Sequence, residues 1–181
     1  MGSWAHAEVE IELNIQQGTA EMRSNVLAFL SLSRYTERSE LQPETMDRLA
    51  ARIPSEVAAA LEPLGYYESV ATYSVQQTDT EHWQVSVDIT PGRAVMLSQV
   101  KISVIGEGQQ DERIQAELNN ATVRSGQSLN HGSYDAYKTS LMRAANRSGY
   151  LEAHWIQSEL LIDKAERRAE VTLIIETGPR Y

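Results

Sequence analysis

Eight residues near the N-terminus, EVEIELNI (8–15), alternate without a break. Val9, Ile11, Leu13 and Ile15 share one face and Glu8, Glu10, Glu12 and Asn14 the other, which is the period-two pattern of a strand with one wet side. Gly18 ends it. Thr19 can then cap a helix in which Met22, Val26, Phe29 and Leu30 recur at helical spacing. Polar residues 33–42 predict a loop. Pro43 suits the first turn of a further helix carrying Met46, Leu49 and Ile53, and Pro54 should kink or restart it. The spacing resumes through Val57, Ala58 and Leu61, and Gly65 takes the place of a C-terminal cap, where positive φ costs glycine nothing. Two strands follow. Ala71, Tyr73 and Val75 share a face in 70–76; Trp83, Val85, Val87 and Ile89 do so in 83–89. The polar QTDTEH between them predicts a hairpin loop.

The second half repeats this order. VKISVIG (100–106) predicts a strand, and residues 111–121 a helix with Ile114 and Leu118 inward. SGQSLNHGS predicts a loop. Tyr134, Tyr137, Leu141 and Ala145 then form a helical stripe that Gly149 closes. Strands over 153–162 and 169–176 are joined by the charged turn DKAERR. Both halves therefore read β-α-α-β-β, with TPG (90–92) and TGPR (177–180) as closing segments. The domain-sized period also shows in two short stretches, LGYYES (64–69) and SGYLEA (148–153). Each marks the joint between the last helix and the hairpin: Gly65 and Gly149 end the helix, while Tyr66, Tyr67, Tyr150 and Leu151 pack it against the sheet. The boundaries predicted are 8–92 for the first unit and 93–181 for the second. MGS resembles an expression tag and Ala5-His6-Ala7 a signal-peptidase site, which makes residues 1–7 a tag joined to a signal remnant.

Charge separates the halves. Fourteen acidic and five basic side chains precede Arg93, against eleven of each from there on. An acidic first unit argues against contact with a phosphate backbone, which needs Lys and Arg. It permits a basic partner, although a solvated acidic face is the commoner explanation. The absence of cysteine excludes thiolate metal sites, thiol nucleophiles and disulfides. No run of about 18 apolar residues is present to span a membrane. The four histidines, His6, His82, His131 and His154, lie far apart and match no metal-ligand spacing. Nucleophile elbows, phosphate loops and a G-x-x-G loop for RNA are also missing. Neither a catalytic residue, a metal site nor a cofactor is expected.

Sheet edges are the remaining candidates. A three-stranded sheet has two, and an exposed edge can pair with an incoming strand through main-chain hydrogen bonds. If the second hairpin strand is central, the edges are the first hairpin strands. These are 70–76 (Val70, Ala71, Thr72, Tyr73, Ser74, Val75 and Gln76) and 154–161, with His154, Trp155, Ile156 and Gln157 at its start. The alternative is that these edges are solvated or blocked.

VEIELNIQQG, PLGYYES, ITPG, SGYLEAHW and ETGPRY, set in a duplicated unit, resemble the polypeptide-transport-associated (POTRA) domain, and within it the first two such domains of TamA-like proteins. The likeness covers residues 8–181. It implies an α+β fold of two tandem POTRA domains, each a three-stranded mixed sheet packed on a pair of helices. It further implies a non-enzymatic docking region on the periplasmic side of the outer membrane, belonging to a protein with a third POTRA domain and a C-terminal barrel. The partners implied are a TamB-like inner-membrane-anchored protein and nascent outer-membrane proteins, autotransporters included. The alternatives are a POTRA pair from another outer-membrane assembly, two-partner secretion or division protein, and, in a different class, a small periplasmic hydrolase.

Overall fold

A computed structural model of the chain describes residues 8–35, 41–79 and 82–181. Residues 1–7, with the tag and signal reading, lie outside the described residues, as do 36–40 of the predicted loop. The chain divides into two compact units, one up to Arg93 and one from Ala94.

In the first unit β1 (Glu8–Ile15) leads into α1 (Ala20–Phe29). The Thr19 hydroxyl accepts from the Met22 N–H at 3.2 Å, satisfying one of the unpaired donors of the helix start. Met22, Val26 and Leu30 turn inward, but Phe29 is 46% exposed. Leu30 leaves the helix in an extended conformation and stays buried, so Phe29 is the one member of the predicted stripe that faces outward. The predicted loop begins with a 3-10 helix, Ser31–Tyr35, which buries Leu32. Pro54 restarts the chain: α2 (Pro43–Ala50) and α3 (Ile53–Leu61) are separate helices, each with proline in its first turn, where its missing N–H is not needed. The Glu56 carboxylate accepts from the Ser31 N–H at 2.8 Å, and the Asn25 amide donates to the Ala60 carbonyl at 3.3 Å, tying α3 to the segment around α1.

β2 (Val70–Gln77) and β3 (His82–Thr90) complete the sheet in the order β1-β3-β2. β3 runs parallel to β1 and antiparallel to β2. Its Trp83, Val85, Val87 and Ile89 are buried against the helices, opposite Val9 and Leu13 of β1.

The second unit repeats the plan: β4 (Met96–Ile105), α4 (Glu112–Asn119), α5 (His131–Arg147), β5 (His154–Asp163) and β6 (Arg168–Glu176), in sheet order β4-β6-β5. β4 begins four residues before the predicted strand, and α5 three residues before its stripe. Asn130 caps α5 by accepting from the Ser133 N–H at 3.0 Å. Tyr134, Tyr137, Leu141 and Ala145 are all buried, as their spacing predicts. Burial pushes the Tyr137 hydroxyl up to about 12, with the Glu117 charge adding to the effect.

The two Gly-Tyr joints have one hydrogen-bond pattern. Gly65 (φ 87°) and Gly149 (φ 92°) are left-handed. The Gly65 N–H donates to the Glu62 carbonyl and the Tyr66 N–H to the Leu61 carbonyl; the Gly149 N–H donates to Asn146 and the Tyr150 N–H to Ala145. This pairing satisfies carbonyls that a helix end leaves open. Tyr150 is buried and Tyr66 packs on the first core. Tyr67 is half-buried, and its hydroxyl is raised by burial and by Glu62. Leu151, expected to pack, is 67% exposed. The cap turns the chain so that only the first residue after Gly149 points inward.

The segment after β6 folds back on this joint. The Tyr181 N–H donates to the Gly149 carbonyl at 2.9 Å, and the Tyr181 hydroxyl donates to Glu152, which raises its pKa. Fully buried Thr177 accepts from the Gly108 N–H at 2.9 Å and donates to the Ile105 carbonyl at 3.2 Å. Thr177→Val keeps the shape and removes both bonds, stranding the Gly108 donor. The expected cost is about 1–3 kcal/mol in urea unfolding. A loss below about 0.5 kcal/mol would contradict this role.

Candidate functional site

β3 and β6 are central, so β2 and β5 are edge strands and the condition for the predicted candidates holds. On β2, Ala71, Tyr73, Val75 and Gln77 lie opposite the buried residues of β3, while Val70, Thr72, Ser74 and Gln76 lie on the outer face. Ala71 and Val75 pack on the core; Val70 and Tyr73 are exposed. The outer face is mostly polar, and none of the three strands contains Lys or Arg. Glu10, Glu12 and Asp88 stand on it, and Asp88 accepts from the Asn14 amide at 3.2 Å. This concentrates part of the first unit's negative charge on one sheet face.

β5 differs in one respect that its sequence does not announce. The register shifts between Trp155 and Gln157, so Ile156 forms a bulge with no partner on β6 and is 52% exposed. Trp155 lies opposite Ile175 and is half-buried; Gln157 lies opposite Ile174, and His154 opposite Glu176, 3.6 Å from its carboxylate. A bulge twists an edge and discourages indiscriminate pairing, while re-aiming the side chain it carries.

The sequence does not single out the two parallel edges, and each is partly covered. The Arg23 guanidinium donates to the Leu13 carbonyl of β1 at 2.7 Å. Residues 126–129 run beside the start of β4: the Gly126 N–H donates to Leu97, the Leu97 N–H to Gln127 and the Leu129 N–H to Val95. Among the described residues, a main-chain segment covers the β4 edge and the Arg23 side chain touches the β1 edge, while β2 and β5 have neither.

His6 lies outside the described residues. His82 sits 2.7 Å from Asp79 in the first hairpin, His131 begins α5, and His154 begins β5. Among the described residues no group of His, Asp and Glu is arranged to hold a metal ion. Asp111, which caps α4 through the N–H groups of Arg113 and Ile114, is lowered chiefly by the Ser148 hydroxyl, which donates to it at 2.7 Å. It acts as a structural cap between α4 and the end of α5.

Two units, β-α-α-α-β-β with the helix layer split at Pro54 and β-α-α-β-β, each a mixed sheet on a helical layer with an uncovered antiparallel edge, have the tandem fold of the POTRA type. Residues 12–91 match the family model described as POTRA domain, TamA domain 1. That match spans most of the first unit, and the second unit repeats its strand order. Among solved structures, POTRA domains 3–5 of Haemophilus influenzae BamA align over 96% of this chain and 67% of theirs, at 14% identity and a TM-score of 0.47. POTRA domains 1–2 of the periplasmic domain of Omp85 from Anabaena align over 96% of each chain, at 17% identity and a TM-score of 0.37. The chain spans 60% of a three-domain Anabaena fragment and 26% of CdiB from Escherichia coli, at 18% and 13% identity and TM-scores of 0.36 and 0.33. These alignments are loose, and the assignment rests on the family match and the strand order. POTRA domains are protein-interaction modules on the periplasmic side of outer-membrane proteins, and no helix among the described residues is long and apolar enough to cross a membrane.

Proposed function

We propose that this chain is the periplasmic docking region of a TamA-like outer-membrane protein assembly factor. It receives a TamB-like, inner-membrane-anchored partner and the strands of nascent outer-membrane proteins, autotransporters among them. Its role is binding rather than catalysis. The observation that carries this reading is the uncovered antiparallel edge of each sheet, β2 in a unit that matches the TamA family and β5 in its repeat. Strand addition there needs only main-chain donors and acceptors, so one edge can serve many sequences.

Cross-linking tests this directly, since a chain without cysteine gives each introduced thiol a single address. Ser74→Cys on β2 or Gln157→Cys on β5 should form a disulfide with a cysteine placed in the bound partner strand. Cross-links confined to helix positions, with neither edge reacting, would overturn strand addition. Ala71→Pro removes an outward-facing backbone donor from β2, because the Thr78 N–H to His82 carbonyl bond and the Gln16 N–H to Ile89 carbonyl bond turn the even positions of β2 toward β3 and the odd ones to the free edge. In a variant whose amide spectrum stays dispersed, loss of one main-chain bond at a used edge weakens partner affinity by roughly tenfold. Unchanged affinity would remove β2 from the account.

A further inference from the structure

The two units treat the space between their edge strand and last helix differently. In the first, α3 lies directly against β2. Its sequence, IPSEVAAAL, is rich in alanine and holds no cation. In the second, α5 stands off β5 and leaves a groove of about 460 Å³, lined by Asp135, Lys138, Thr139, Met142 and Arg143 of α5 and Trp155 of β5. Half-buried Met142 and Trp155 supply its apolar floor.

The two cations have no carboxylate partner among the described residues. Lys138 Nζ rests 5.1 Å from the centre of the Tyr134 ring, and Arg143 is exposed. Asp135 is the single acidic residue in the lining, so the groove carries a net positive charge in a chain whose formal charge is −9. One turn before Lys138, the Tyr134 hydroxyl lies 3.2 Å from the Ser158 hydroxyl and links α5 to β5.

A strand added to β5 presents every second side chain to this groove, at a repeat of about 6.6 Å. Lys138 and Arg143 both line the groove, so acidic side chains at successive groove-facing positions of the incoming strand, i and i+2, meet a positively charged wall.

We propose that the β5–α5 groove is the sequence-selective edge of this chain, taking an extended protein segment with acidic side chains at alternate positions. This rests on the strand-addition reading and adds to it a site and a partner chemistry. Main-chain pairing alone is indifferent to charge; Lys138 and Arg143 supply the discrimination.

The test titrates the whole 181-residue chain with two synthetic peptides of alternating Val and Thr, one carrying Glu at i and i+2 on one face and the other Lys there. The Glu peptide should shift the amides of 154–161 and bind about tenfold tighter than the Lys peptide, the sum expected of two partly exposed charge pairs. The preference should reverse in the double variant Lys138→Glu, Arg143→Glu, and shrink at about 0.5 M salt as screening shortens below a nanometre. Equal binding of both peptides at β5 would overturn the charge selection while leaving strand addition in place. Shifts confined to 70–76 would overturn the assignment to the second unit. Absence of shifts on either edge would overturn both the selection and the reading beneath it.

Discussion

Gly149→Ala destabilises the second unit by about 2–4 kcal/mol, more than the same change at another left-handed glycine. Two costs combine at Gly149. Its φ of 92° strains any side chain, and an added Cβ would lie 2.7 Å from the Tyr181 carbonyl oxygen. That oxygen belongs to backbone, so relief requires moving the closing segment and losing its bond to Gly149. Gly126 provides the control. Its φ is 86°, but nothing lies within 4 Å of its would-be Cβ, so Gly126→Ala carries the conformational cost alone, about 1–2 kcal/mol. Hydrogen exchange checks both: β6 amides in Gly149→Ala should exchange about 30- to 700-fold faster. Equal effects at the two positions would mean that the closing segment is not held on the joint.

Leu173→Ala costs about 3–4 kcal/mol and Ile174→Ala about 1 kcal/mol, although the residues are neighbours of similar size. Leu173 is fully buried beneath the helices, on the face that also carries Val171 and Ile175. Ile174 points to the other side, between Ser103 and Gln157, and is half-buried. A unit of this size has a total stability of roughly 4–13 kcal/mol, so the first change removes a large share of it. Urea unfolding followed by Trp155 fluorescence, with Trp4 and Trp83 replaced by Phe in every variant, measures the difference. Similar losses at both positions would mean that the outer face of the sheet is covered rather than solvated.

The strands were legible because one side of each sheet is dry and the other wet. EVEIELNI records this residue by residue, and so does the run from Trp83 to Ile89. The glycine caps were legible because an abrupt glycine after a helical stripe has few other uses. The start of β4 was not. Its register shifts between Leu97 and Gln99, which puts Ser98 and Gln99 in succession and breaks the alternation. Gly132 and Ser133, poor helix formers, hid the first turn of α5. Residues 126–129 cover the β4 edge through main-chain bonds that leave no side-chain signature. The same holds for the Ile156 bulge, since HWIQSELLI reads as an unbroken strand. That β2 and β5 are edges follows from the hairpins once the second strand of each is central. The helix side of the β5 groove escaped notice because the stripe of α5 reports what is buried, and Lys138, Met142 and Arg143 lie beside it.

The central claim is that an edge strand docks the partner, and an amide-resolved NMR titration with the periplasmic C-terminal region of the cognate TamB-like protein tests it most directly. Docking by strand addition predicts shifts concentrated along 154–161, or along 70–76, with new protection of edge amides from exchange. Shifts spread over the exposed faces of α1 and α4, with both edges silent, would contradict it.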